Sequence, residues 1–447
     1  MEGIFVILPG QQPPATFSFL SAQLTIPSAE IGMAHDSHST SIDPRSGFCG
    51  SNSTFYSKRK PLSLPPPHQF LSTTAFISSR KHSGTVALID AATGRRLTYP
   101  ELWRAVDAVA TSLSNLGVRK GHVILLLSPN SIYFPIVCLS VMSLGAIITT
   151  TNPLNTPQEI AKQIADSNPL LAFTTRALAH KIHPKLPLVL LHDNDGAGGG
   201  VKVVSYIEEM MKQEPDRGRV RDPVAQDDTA TLLYSSGTTG MSKGVASSHR
   251  NLIATVETII QRFSVAEEPG RLHTMLCTVP MFHIYGLAVF ATGMLALGYA
   301  VVVLSKFEMH DMLSAIARYQ VSYLPLVPPI LVVLTNNADA IRAKYEFRSL
   351  KKVLSGGAPL SKEVIEGFLG KFPAVEIMQG YGLTETMGVG ASTDTLEESR
   401  RYGTAGLLSP NMEAKIVDTE TGEAVGVGKT GELWLRGPSV MKGKAVR

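Results

Sequence analysis

Cysteine is scarce in this sequence: three in 447 residues, Cys49, Cys138 and Cys277, spaced neither as a disulfide framework nor as metal ligands. That usage suits a reducing compartment. Charge of one sign is also missing as a block. The formal net charge is +4 and no long basic run occurs, which leaves nucleic-acid binding little support. Residues 1–44 hold no lysine or arginine, so the start has neither the positive region of a secretory signal nor the arginines of a transit peptide. Hydrophobics at 44% and charged residues at 17% describe an ordinary globular protein of about three structural units.

Charge is absent again between residues 123 and 158, and residues 286–304 form an apolar run as long as a membrane span. Both runs carry internal punctuation. Val123 to Leu127 reads as a strand, Ser128-Pro129-Asn130-Ser131 as a turn and helix cap, and Gly145 as a helix end. Parallel strands covered on both faces read as unbroken apolar sequence. The expectation is buried strand–helix–strand core and no membrane span.

The rest of the chain follows the same grammar. Residues 86–90 and 95–99 predict a hairpin, residues 100–116 a helix, and Thr156-Pro157-Gln158-Glu159 a capping box opening a second helix that stops at Asn168-Pro169. Short apolar strands recur at 274–279, 300–304, 321–326, 352–354 and 375–378, with helical patterns between. Residues 412–417 and 432–436 predict strands with no helix between them. The implied fold is α/β, with two parallel-sheet α/β subdomains and a small β-barrel-like one. The segments expected are 1–67, an extension and flexible Ser/Pro-rich tether; 68–230, a first α/β subdomain; 231–403, a second carrying the site; and 404–447, the β subdomain.

Four loops carry chemistry, each directly after a short apolar strand. The first is Tyr234-Ser235-Ser236-Gly237-Thr238-Thr239-Gly240-Met241-Ser242-Lys243-Gly244. Glycine bares backbone N–H groups, hydroxyls donate, and Lys243 supplies a fixed cation, which is what a polyphosphate needs. Ser242 stands where a Walker loop wants glycine, so a P-loop hydrolase is excluded. The others are Pro280-Met281-Phe282-His283-Ile284-Tyr285-Gly286, Ser355-Gly356-Gly357-Ala358-Pro359 and Gln379-Gly380-Tyr381-Gly382-Leu383-Thr384-Glu385-Thr386. Loops gathered at strand carboxyl ends make one crevice. Gly356-Gly357-Ala358 can approach a flat ring such as adenine, and Tyr381 can stack on it. Glu385 is placed to hold Mg2+ on phosphates, Thr384 to donate to an α-phosphate, and His283 to donate near an attacking carboxylate.

These four loops, in this order, resemble the adenylate-forming, acyl-activating enzymes, and the chain from about Met33 to Gly443 is similar to plant 4-coumarate–CoA ligase-like proteins. The resemblance implies the large N-terminal domain of that family. It implies ATP-dependent conversion of a carboxylic acid to acyl-AMP and then acyl-CoA, with ATP, Mg2+ and coenzyme A taking part. The matching nucleotide positions are Ser235, Ser236, Gly237, Thr238, Thr239, Lys243, Gly357, Gln379, Gly380, Tyr381 and Thr384, with His283, Thr384, Glu385 and Lys243 in the chemistry. An acyl pocket around Tyr285, Val289, Gly357 and Gly380 is implied, and Lys306 matches a position near coenzyme A. Thr386-Met387-Gly388 departs from the Ala-Gly-Pro of hydroxycinnamate-specific members. It is similar to the branch that activates fatty or jasmonate-precursor acids as well as the cinnamates of phenylpropanoid metabolism.

The resemblance stops at Gly443, before the family's ribose-gripping aspartate and its smaller lysine-bearing domain. It therefore implies impaired adenylation and thiolation for these 447 residues. A catalytically silent module holding ATP or acyl ligand is the competing expectation. A luciferase-like or amino-acid-activating chemistry is a third, disfavoured by the tyrosine-bearing pocket. Cytoplasm or peroxisome is the implied location, although Ala445-Val446-Arg447 is not a Ser-Lys-Leu signal.

Overall fold

The two uncharged runs build the centre of the molecule. In the computed structural model, which describes residues 41–191, 202–216, 218, 222–235, 243–266 and 273–445, strand Val123–Leu127 leads into helix Tyr133–Ser143 and strand Ile147–Thr150. The helix is buried on every side, as an apolar segment with no polar stripe must be. The run 286–304 folds likewise into a helical stretch, Ile284–Gly286, Leu287–Gly293 and Met294–Leu297, then strand Ala300–Val303. Among the described residues no helix is long and apolar enough to cross a membrane.

Among the described residues, three sheets organise the chain. An eight-stranded sheet runs Gly443–Ala445, Lys243–Ser248, Thr229–Ser235, Ile147–Thr150, Val123–Leu127, Leu171–Thr174, Leu188–Leu190, Val203–Tyr206. A nine-stranded sheet runs Leu407–Leu408, Ala391–Ser392, Glu376–Tyr381, Lys352–Ser355, Tyr323–Leu326, Thr274–Cys277, Ala300–Val303, Val86–Asp90, Arg96–Thr98. A smaller antiparallel sheet joins Phe48–Cys49, Thr54–Tyr56, Glu413–Val417, Ala424–Val425 and Glu432–Arg436. Strand pairing crosses the segment boundaries expected from the chain order. The hairpin at 86–98 completes the sheet built mainly from 274–408, and strands 229–235 and 243–248 complete the one built from 123–206. Linear composition cannot show this, because each sheet is closed by strands distant in sequence.

The Ser/Pro-rich stretch expected as a tether is partly folded. Phe48 and Phe55 pack as a tilted pair with ring centroids 4.8 Å apart, and Thr54–Tyr56 pairs with Glu413–Val417. Arg59 then reaches Asp394 and Glu398 in ion pairs of 3.0 and 2.6 Å. Both expected helices open on capping boxes, Thr98 with Glu101 and Thr156 with Glu159. Each box satisfies donors the first helical turn leaves unpaired and is worth about 1 kcal/mol. Residues 1–32 of the expected extension, and the centre of the first glycine-rich loop (236–242), lie outside the described residues.

Candidate active site

Parallel pairing aligns Thr274–Cys277, Ala300–Val303, Tyr323–Leu326, Lys352–Ser355 and Glu376–Tyr381, so the loops that follow them leave one edge of the nine-stranded sheet. The first glycine-rich loop comes from the other large sheet. Thr229–Ser235 and Lys243–Ser248 pair antiparallel up to Ser235 opposite Lys243, so residues 236–242 join two hairpin strands. Ser236, Gly237, Thr238 and Thr239 are outside the described residues. The two sheets meet where the Ser235 hydroxyl donates to Glu385 Oε1 at 3.1 Å, with both residues buried. Lys444 Nζ stands 3.5 Å from the same carboxylate oxygen, brought there by strand Gly443–Ala445 on Lys243–Ser248.

Steric limits fix two of the loops. A Cβ on Gly286 would lie 2.1 Å from the Pro280 carbonyl oxygen, so only glycine lets residues 280–286 close on themselves. A Cβ on Gly382 would lie 2.1 Å from the Gly388 carbonyl oxygen, which pins both ends of the loop holding Thr384-Glu385-Thr386 in a single 3-10 turn. The next residue, Met387, is buried at φ 52°, a left-handed backbone that a side chain adopts at a cost.

His283 caps its short helix by accepting the Tyr285 N–H on Nδ1 at 3.2 Å. The residue is exposed where it lines a cavity, and partial desolvation by the surrounding protein lowers its pKa. A neutral imidazole accepting on Nδ1 carries its proton on Nε2, which makes that nitrogen a donor. The cavity has about 760 Å3 of empty space including its open mouth. Tyr285, Val289, Gly357 and Gly380, the residues expected around an acyl group, all line it together with His283. Burial pushes the Tyr285 hydroxyl up to about 12, partly offset by the charge of Arg262, and the hydroxyl donates to the Leu354 carbonyl at 3.4 Å. Val289 sits in the π-helical turn Leu287–Gly293, a widened turn of the kind common at functional sites.

The remaining described residues, Gln379, Tyr381, Lys243 and Lys306, do not line this cavity. Gln379 is held by its backbone to Thr393, whose hydroxyl accepts the Gln379 N–H at 2.8 Å. Tyr381 packs against the apolar cluster of Met412, Leu435 and Val440, and burial followed by the Glu385 charge raises its pKa. Lys243 is exposed opposite Ser235. Lys306 follows strand Ala300–Val303, is 80% exposed and pairs with Glu308 at 2.5 Å, outside the cavity lining. Among the described residues no three histidines, cysteines or carboxylates cluster to hold a metal by themselves. One carboxylate beside substrate phosphates is nevertheless the donor set Mg2+ takes.

Sequence reasoning missed the cavity wall supplied by helix His249–Ala266: Thr258, Ile259, Arg262 and Phe263. The signal was present, since Arg262 lies beside the apolar stripe Leu252, Val256, Ile259 and Phe263.

Comparison with known proteins bears on the family and the fold. Residues 76–443 match the family described as AMP-binding enzyme. The chain is 65% identical over 405 residues to a probable CoA ligase, CCL5, of Humulus lupulus, covering 90% of this chain and 73% of that protein. It is 65% identical over 408 residues to the peroxisomal OPC-8:0-CoA ligase 1 of Arabidopsis thaliana, with the same coverage. Two solved structures share the fold. A luciferase-like enzyme from the mealworm Zophobas morio has a TM-score of 0.73 at 24% identity, covering 86% of this chain and 90% of that one. A long-chain-fatty-acid-CoA ligase from Archaeoglobus fulgidus has a TM-score of 0.75 at 23% identity, covering 88% and 80%.

Proposed function

We propose that this chain, which belongs to the AMP-binding enzyme family, activates a carboxylic acid with ATP to an acyl-adenylate that coenzyme A then takes as acyl-CoA. One observation carries the reading: His283, Tyr285, Gly357 and Gly380 from three strand-end loops, and Val289 from the helical turn after the first of them, line one cavity. In this scheme the acid lies in the cavity with its carboxylate toward His283, whose Nε2–H steadies an oxygen. The adenine lies along Gly356-Gly357, and Ser235, Thr384 and Lys243 face the phosphates. Glu385 would hold Mg2+, which supplies charge neutralisation on those phosphates. The acid class we assign is hydroxycinnamate or fatty and jasmonate-precursor acid, supported by 65% identity to a ligase named for OPC-8:0. Of the two locations, peroxisome and cytoplasm, the peroxisomal name of that relative supports the first.

The test is acid-dependent exchange of labelled pyrophosphate into ATP, with cinnamic, medium-chain and long-chain acids and Lys243→Ala as the blank. Exchange with one acid class, abolished in the blank, is expected. No exchange with any acid while nucleotide still binds would overturn the reading in favour of a silent nucleotide-holding module.

A further inference from the structure

The cavity contains one feature that acid activation does not require. Among the described residues lining it, Arg262 is the one with a fixed full charge, and its side chain is only 11% exposed. One edge of the guanidinium is occupied. Nε faces Asp394 Oδ1 at 3.2 Å, and Nη2 donates to the Thr393 carbonyl at 3.2 Å and the Gln379 carbonyl at 3.4 Å. Asp394 is shared with Arg59, whose Nε lies 3.0 Å from its other oxygen, so it does not neutralise Arg262 alone. Nη1 makes no hydrogen bond among the described residues and stands 3.8 Å from where a side chain on Gly380 would begin, against the cavity wall. A charged donor open to the cavity with no protein acceptor is available to a ligand oxygen, which would take the place of water there.

We propose that Arg262 determines specificity by donating from Nη1 to a second oxygen on the acyl group. The site then selects acids bearing a carbonyl or hydroxyl away from the reacting carboxylate over hydrocarbon acids of similar shape. This rests on the acid-activation reading above. The reacting carboxylate is a poor candidate for the partner. Ser235, Lys243, Thr384 and Glu385, which mark the phosphate side, do not line this cavity. A guanidinium bound to the attacking carboxylate would also hold back its negative charge. Tyr285 senses the Arg262 charge, so the two polar groups lie within electrostatic reach of each other in a wall that also carries Thr258, Ile259, Phe263, Val289 and Ser355.

The experiment uses acid pairs that differ by one oxygen, cinnamate with 4-hydroxycinnamate and decanoate with its keto and hydroxy derivatives, on the wild-type chain, Arg262→Met and Arg262→Lys. Two readouts are taken: binding of the non-hydrolysable acyl-sulfamoyl adenosine of each acid, and pyrophosphate exchange. The wild type should favour the oxygenated member of a pair by about 10- to 100-fold, the worth of one hydrogen bond to a charged group. Arg262→Met should erase that preference while binding the hydrocarbon member within about threefold of wild type, and Arg262→Lys should restore part of it. Equal loss for both members would put Arg262 on the shared carboxylate or in a structural role, and no change would leave it idle; either overturns the proposal. Discrimination in binding without any exchange would sustain Arg262 and sink the activation reading. Exchange indifferent to the second oxygen would do the reverse, and failure to bind any analogue would sink both.

Discussion

The Ser235 hydroxyl holds the Glu385 carboxylate at 3.1 Å across 150 positions of sequence, linking the last residue of a strand in one sheet to a loop of the other. The contact aims a buried carboxylate at the place where the hairpin closes between Ser235 and Lys243. If Glu385 holds Mg2+ on phosphates there, Glu385→Gln keeps the shape and hydrogen bond but removes the charge. Exchange should fall by about 100-fold, the loss typical of one removed transition-state stabiliser, and the Mg2+ concentration for half-maximal rate should rise. Titrating the exchange rate with Mg2+ checks this, and an unchanged Mg2+ requirement would count against the assignment.

The glycine at the base of that loop makes a separate point about sterics. Gly382→Ala places a methyl 2.1 Å from the Gly388 carbonyl oxygen and 2.3 Å from its carbon, and both are backbone atoms that cannot step aside. Overpacking of this kind costs about 1–3 kcal/mol, so thermal stability should drop and exchange should disappear. Gly370→Ala is the control. A Cβ there meets nothing within 4 Å, and helix Lys362–Lys371 should gain about 0.5–1 kcal/mol from the lost glycine. Melting curves of the two variants should move in opposite directions.

Stability should also depend on pH through His249. Its ring is fully buried, and Nδ1 receives the Thr73 N–H at 3.1 Å, so burial lowers its pKa to about 4, with Asp228 and Lys120 acting in opposite senses. The unfolded chain titrates near 6.5 and binds a proton before the folded one does, so stability present above about 6.5 is lost as pH falls toward 4. Moving the titration from 6.5 to about 4 corresponds to about 3 kcal/mol. Denaturant unfolding at several pH values should show that slope, and His249→Gln should flatten it.

How much of this was legible in the sequence depends on the range of the interactions involved. Thr156 and Glu159 meet within one turn, so the helix start could be read directly, and the buried helix Tyr133–Ser143 follows from the absence of charge around it. The four loops were legible as motifs because each is contiguous. Arg59 was not: its partners Asp394 and Glu398 lie more than 330 positions away, and a Ser/Pro-rich neighbourhood suggested a free tether. Arg262 was hidden for a related reason. An arginine on a helix usually solvates its own face, and only the strand Glu376–Tyr381 packed beside it turns this one into a cavity wall.

Val289 gives a test of which cavity receives the acid. It lies in the widened turn Leu287–Gly293, is nearly inaccessible to solvent and faces the same space as Tyr285 and Gly357. Val289→Phe would add an aromatic ring inside the cavity without touching Glu385, Thr384 or Ser235, none of which lines it. Filling a pocket selects by size, and one excess methylene already costs about 1–3 kcal/mol where the wall cannot yield. Exchange with long-chain acids should therefore fall at least tenfold, while the shortest acid accepted by the wild type should keep its kcat and shift in KM by less than about threefold. A uniform loss across chain lengths would mean that the acyl group lies elsewhere, because a residue remote from the acyl chain cannot sort acids by their length.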